Sequence, residues 1–144
     1  MTTYRNPSPC VDIIIYEPGR GIVLIERKNP PYGWALPGGF IDYGESAESA
    51  AKREALEETC LEVTLLGLVG VYSEPDRDPR QHTLSITYAA SARDIEQVRG
   101  GDDAAQAVFF ALNDLPELAF DHSKIIADFI HKLGKGEFAY ASAE

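Results

Sequence analysis

The chain has 144 residues, 44% of them hydrophobic and 25% charged, with a formal net charge of −10 at pH 7. That length suits one domain with its own core, and residues 1–144 read as a single domain whose ends, about 1–8 and 134–144, are loosely held. So acidic a chain repels a polyphosphate backbone, which argues against nucleic acid as a partner. The lack of a long apolar run, or of an apolar leader segment at the start, argues against a membrane and for a cytoplasmic protein. Cys10 and Cys60 make neither a disulfide framework nor a Cys/His zinc cluster. The same negative field disfavours an anionic small molecule unless a metal ion and local arginines reverse its sign.

Residues 11–16 (VDIIIY) are rich in β-branched side chains and predict a strand. A turn at 19–21 returns the chain into a second strand at 22–27 (IVLIER). Residues 29–33 (NPPYG) form a loop by their Pro and Gly content, and Trp34, just before L-P-G-G, packs its base. Tyr4, Tyr32 and Phe40 fit either packing or ligand contact. Ser46 is placed to cap a helix over 47–59, with Ala47, Ala50, Ala51, Ala55 and Leu56 as its apolar side. Residues 61–73 predict a long strand with a break at Gly67 or Gly70. In 82–92 the side chains alternate, with Leu84, Ile86 and Tyr88 on one face and Thr83, Ser85 and Thr87 on the other. A short strand is expected at 107–112, and Ile125, Ile126, Phe129, Ile130 and Leu133 mark a helix over 121–133 that Gly134 stops.

The chemistry concentrates in 38–61 (GGFIDYGESAESAAKREALEETCL). At about 100° per residue, Glu54, Glu57 and Glu58 fall within roughly a 100° arc of one helix face. Like charges so close repel by a few tenths of a kcal/mol per pair, whereas a hard divalent cation needs such a cluster of oxygens.

Gly39, Glu45, Arg53, Glu54, Glu57, Glu58 and Leu61 stand in register with G-x5-E-x7-R-E-U-x-E-E-x-G-U, and in this the chain resembles the Nudix family. A chance match is on the order of 10⁻⁸ per starting position. Ala55 and Cys60 depart from the pattern; Cys60 replaces a Gly that would take a left-handed conformation past the helix end, which costs a residue with a Cβ roughly 1 kcal/mol or more. The resemblance implies an α/β fold, a Nudix-type α/β/α sandwich with a mixed central sheet. It implies Mg²⁺ (or Mn²⁺) held by Glu54, Glu57, Glu58 and a carbonyl of the Gly38–Gly39 turn, with Arg53 and Glu45 orienting the ligands.

It also implies divalent-metal-dependent hydrolysis of a nucleoside diphosphate derivative, with a carboxylate taking the proton of the attacking water. Glu57 and Asp103 are both candidates for that base, and Asp102 lies beside the substrate. The R-D-P-R-x-H run and L-A-F-D-H at 118–122 are similar to the small ADP-ribose pyrophosphatases of the family. They point to ADP-ribose as substrate, cleaved to AMP and ribose 5-phosphate, with Arg27, Arg77, Arg80 and His82 as substrate contacts. Two alternatives stay open, another nucleotide such as a noncanonical triphosphate or sugar nucleotide, and a non-catalytic ADP-ribose sensor. The resemblance favours a homodimer, the commonest symmetric assembly.

Overall fold

The computed structural model describes residues 3–141, so the first two and last three residues of the termini discussed above lie outside it. Strand β1 (Ser8–Glu17) occupies the centre of a seven-stranded mixed sheet of order β3-β2-β1-β6-β5. Its partners change along its length. Residues 8–15 run parallel to β6 (Thr83–Ala92), Cys10–Asp12 also pair antiparallel with β4 (Gly38–Phe40), and Tyr16 and Glu17 pair with β2 (Gly21–Arg27). Strand β2 pairs with β7 (Ala104–Phe110) along its far edge and, beyond its short pairing with β1 on the near edge, with β3 (Gly33–Ala35). Strand β5 (Val63–Tyr72) forms the outer edge beyond β6.

The two-residue period of β1 separates the two halves of the core. Val11, Ile13 and Ile15 pack with Ala50, Ala51 and Ala55 of helix α1 (Ala47–Thr59), whose small side chains let the helix lie close to the sheet. Ile14, with Leu24 and Ala89, packs on the other face against Ile125, Ile126 and Phe129 of helix α2 (His122–Gly134). The result is the expected α/β/α sandwich. Phe129 is fully buried; cutting such a side chain to Ala typically costs ~3–5 kcal/mol.

Helix α1 has the expected bounds, and the Ser46 hydroxyl accepts from the Ser49 N–H at 3.1 Å. Cys60 takes the left-handed conformation that the pattern's Gly would have taken, φ 62°, and its N–H closes the helix on the Leu56 carbonyl. Two strand expectations are corrected. The strand expected at 107–112 begins earlier, at Ala104, because it follows β2 down to Arg27. Strand β5 is not broken at its glycines; the register shifts between Leu65 and Gly67 and between Leu68 and Gly70 are bulges within one strand.

The C-terminal segment is not loose where it is described. Phe138 is buried and stacks on Phe129 at 5.7 Å, and the Tyr140 hydroxyl donates to the Ala90 carbonyl at 3.0 Å. Two aromatic rings tie it across the α2 face, and a Cβ on Gly67 would meet the Phe138 ring at 3.0 Å. At the other end Ser8 is already in β1, its N–H bonded to the His82 carbonyl. Helix α2 runs through Gly134 and closes on Lys135.

Candidate active site

Helix α1 presents its acidic face to the ends of β1, β2 and β4. Arg53 is the hub of this face. Its Nε and Nη2 donate to the two carboxylate oxygens of Glu45 at 2.8 and 2.9 Å, and Nη2 also donates to the Phe40 carbonyl at 3.1 Å. Nη1 reaches Glu54 at 2.7 Å and Glu57 at 3.3 Å. One guanidinium therefore offsets the repulsion among three glutamates and fixes their rotamers. Its hydrogen bonds hold the Glu45 carboxyl down at about 2.

Glu54 and Glu58 are buried, Glu57 half exposed. Burial pushes the Glu54 carboxyl up to about 6, against the pull of Arg53, and the Glu58 carboxyl up to about 8. The turn into β4 comes very close. Glu58 accepts the Gly38 N–H at 2.8 Å, and a Cβ on Gly39 would lie 2.5 Å from the Glu54 carboxyl carbon. Any larger residue at 39 would push the Glu54 carboxylate aside.

The 100–103 loop packs on the C-terminal end of α1. A Cβ on Gly101 would lie 2.5 Å from the Glu57 carbonyl, and Lys28 pins the loop from β2, its Nζ to Asp102 O at 2.9 Å and its N–H to Asp103 O at 3.2 Å. The charge of Asp103 adds to the upward push on Glu58, and that of Asp102 to the push on Glu54. Both loop acids thus stand near the carboxylates of the helix.

A cleft beside the Gly38–Phe40 strand is lined by that strand and by Arg27, Arg80, Asp78, Phe120 and His122, among others. Arg27 Nε donates to the Pro31 carbonyl at 2.7 Å; burial, and then the charge of Arg80, pulls its pKa below the ordinary value. Arg80 forms a two-point pair with Asp78 at 3.0 and 2.8 Å. Trp34 lies behind the cleft, edge-on to Phe110 at 4.9 Å, which fits the packing role expected for it.

Two expected substrate contacts sit differently. Arg77 borders the cleft but is buried, its Nε and Nη2 bonded to the Asp121 carboxylate at 3.0 and 2.8 Å and its Nη1 to the Thr83 hydroxyl at 2.6 Å. All three of its guanidinium nitrogens donate within the protein, two of them tying the 73–82 loop to the start of α2. His82 does not line the cleft; its Nε2 meets the Ser73 carbonyl at 2.9 Å and closes the base of the loop.

The histidine at the cleft is His122. Its Nδ1 accepts the Leu36 N–H at 3.0 Å, so Nε2 carries the proton and faces Asp12 Oδ1 at 3.5 Å. Burial pulls its pKa below the ordinary value, against the opposing charges of Asp12 and Asp121. Asp12 also accepts from the Ser85 hydroxyl at 2.5 Å, which in turn meets Thr87 at 3.0 Å. The Thr83, Ser85, Thr87 face of β6 is therefore buried in a polar network rather than turned to solvent. Asp12 escaped the sequence reading, and Asp78, Phe120 and His122 entered it only as members of the R-D-P-R-x-H and L-A-F-D-H runs. A lone acid inside VDIIIY was the available signal, because unpaired carboxylates are seldom buried.

Among the described residues no three His, Cys, Asp or Glu side chains converge as a metal-ligand cluster. Arg53 draws Glu54 and Glu57 to itself and the Gly38 N–H holds Glu58, so the expected three-glutamate set is not gathered at one point. The donor chemistry still fits a hard divalent ion. Two buried carboxylates lie on one helix face beside a third and two loop acids, and such oxygens suit a small divalent cation. Burial disfavours their charge, and a cation would restore it.

The family model for the NUDIX domain matches residues 6–131. The chain is 50% identical, over 129 residues, to the ADP-ribose pyrophosphatase of Methanocaldococcus jannaschii, covering 88% of this chain and 75% of that one. It is 30% identical over 139 residues to the ADPR responsive transcriptional repressor NtrR of Acinetobacter baylyi, covering 90% of this chain but only 56% of the repressor. In three dimensions it is similar to the NUDIX domain of Shewanella oneidensis NrtR crystallised with ADP ribose, with a TM-score of 0.76, 26% identity and 90% of each chain covered.

Proposed function

This chain belongs to the NUDIX family, and we propose that it hydrolyses the pyrophosphate linkage of ADP-ribose, with water, to AMP and ribose 5-phosphate. The observation that carries this reading is a shared mouth. The Gly38–Gly39 strand that meets Glu58 and Glu54 of the R-E-x-x-E-E helix also lines the cleft bearing Arg27 and Arg80, which sets phosphate binding beside proton transfer. The 50% identity to an ADP-ribose pyrophosphatase supports the choice of substrate.

Glu54, Glu57 and Glu58 would hold Mg²⁺ or Mn²⁺, with a carbonyl of the Gly38–Gly39 turn. When bound, the ion supplies Lewis-acid neutralisation of phosphate oxygens and acidifies a water. The rest falls to this chain's own residues. Arg27, through its terminal nitrogens, and Arg80, through Nη1, would bind the diphosphate and offset the negative field of the protein. Asp102 would approach the same substrate from the loop. Glu57 is half exposed and, among the described residues, held only by Arg53, so it is available to take the proton of the attacking water. Asp103 is the alternative base, held at the helix by the close approach of Gly101. Arg53 and Glu45 position the carboxylates and touch no substrate.

No helix among the described residues is long and apolar enough to cross a membrane. Together with the two free cysteines, this supports placing the enzyme in the cytoplasm. We propose a homodimer as its assembly, which sedimentation at assay concentration would test.

Incubating the protein with Mg²⁺ and ADP-ribose, a sugar nucleotide and nucleoside triphosphates, with products identified by mass, tests the function. AMP from ADP-ribose supports it. Preferential turnover of a triphosphate would move the chain to another substrate within the family. The likeness to an ADPR-responsive repressor favours a second reading as a sensor, and tight ADP-ribose binding without turnover would establish it.

A further inference from the structure

Phe120 is one of four non-glycine residues with positive φ among the described residues, at 57°. A bulky aromatic pays for that conformation, so it persists only where its surroundings hold it. What surrounds it is unusual. The Arg27 guanidinium carbon lies 5.0 Å and that of Arg80 5.5 Å from the centre of its ring, and the His122 ring is 5.2 Å away. Phe120, both arginines and His122 all line the cleft. Arg27 donates through Nε to Pro31, and among the described residues its two terminal nitrogens make no hydrogen bond. Arg80 spends Nε and Nη2 on Asp78, leaving Nη1 without a partner among them.

Two like charges held on one ring repel each other. The negative face of the ring offsets part of that repulsion and fixes where each guanidinium stands. We propose that Phe120 is a positioning residue that clamps Arg27 and Arg80 so that their unspent N–H groups face one diphosphate in the cleft. This deepens, and rests on, the reading of the cleft as the site of a pyrophosphate linkage. The left-handed backbone at 120 is what turns the ring toward both arginines just before α2 begins; its strain is maintained for that orientation.

The clamp makes the ring and the backbone separable. Phe120→Gly relaxes the backbone, since Gly accepts positive φ freely, and removes the ring. Phe120→Asn, also tolerant of that conformation, serves as a second ring-free variant. Phe120→Tyr keeps the ring. Calorimetric titration with inorganic pyrophosphate, and separately with adenosine, reads out the two halves of a nucleotide without requiring turnover.

The ring-free variants are expected to melt within about 3 °C of wild type and to bind pyrophosphate about tenfold more weakly, with adenosine unchanged. Phe120→Tyr should stay within about twofold of wild type. In turnover, KM should rise about tenfold with kcat within about threefold. Wild-type pyrophosphate affinity in folded ring-free variants would overturn the clamp. So would lost adenosine affinity with pyrophosphate unchanged, which would make the ring a base platform. A wild type that binds pyrophosphate in this ring-dependent way yet leaves ADP-ribose intact would defeat the proposed activity while supporting the clamp.

Discussion

Replacing Arg77 by Ala distinguishes a structural arginine from a substrate arginine. Its side chain is 4% exposed, against 23% for Asp121 and 10% for Asp12. Truncation would remove the two-point bond to Asp121 and the bond to Thr83, and leave the Asp12 and Asp121 charges without the guanidinium that lies 3.8 Å from one and 2.8 Å from the other. Breaking a buried pair by removing one partner costs about 3–5 kcal/mol. Because Asp121 keeps some water, the lower end applies, about 3 kcal/mol. For a chain of this length each kcal/mol moves Tm by about 3–4 °C, so Tm should fall by about 10 °C.

Differential scanning calorimetry in EDTA reads this without any contribution from bound metal. Adding Asp121→Asn removes one uncompensated charge, and the double variant should recover part of the loss. A double-mutant cycle isolates the pair. Should Arg77→Ala melt within 2 °C of wild type while KM for the substrate rises by an order of magnitude, the structural reading is wrong and the original expectation of a substrate contact is right.

Gly39→Ala should keep its strand but push the Glu54 carboxylate aside, because the new Cβ would fall 2.6 and 2.7 Å from its oxygens; we expect a 10–100-fold weaker activation by divalent ion, and an unchanged metal titration would refute the contact. Glu57→Gln, at a half-exposed position, should alter Tm little and lower kcat by about 10²-fold or more, whereas unchanged turnover with Asp103→Asn inactive would transfer the base to the loop. Burial, and next the charge of Asp12, pushes the Cys10 thiol from 9.0 up to about 12. Native protein at pH 9 should therefore alkylate at Cys10 about 500-fold more slowly than an ordinary thiol. The folded state keeps a proton that the unfolded chain loses, so this group contributes a decline in stability as pH rises from 9 toward 12, and none below. Rapid labelling of Cys10 in folded protein at pH 9 would contradict its burial.

What was legible in the sequence was local. Ser46, the alanine stripe and the glutamate spacing each depend on neighbours within a turn or two, so helix α1 and its acidic face could be read directly. The cap at Cys60 was also readable, as a position that needs a left-handed backbone whatever residue fills it. The pairing of Arg77 was not legible because its partner lies 44 residues away. Beside it the sequence shows only Asp76 and Asp78, and Asp78 goes to Arg80. His82 was preferred to His122 for its nearness in sequence to the arginines, but the parallel pairing of β1 with β6 carries His82 to the loop base and Asp12 into the network. The C-terminal aromatics Phe138 and Tyr140 follow a helix stop and look free in sequence; that they bury on Phe129 depends on the room left over Gly67.

The most direct test is the steady-state kcat/KM for ADP-ribose against that for a nucleoside triphosphate, in Mg²⁺, on the wild-type chain. The account predicts a value in the ordinary enzymatic range, about 10⁴ M⁻¹s⁻¹ or higher, for ADP-ribose and at least about tenfold less for the triphosphate. A triphosphate turned over faster than ADP-ribose, or no turnover of ADP-ribose at all, would contradict it.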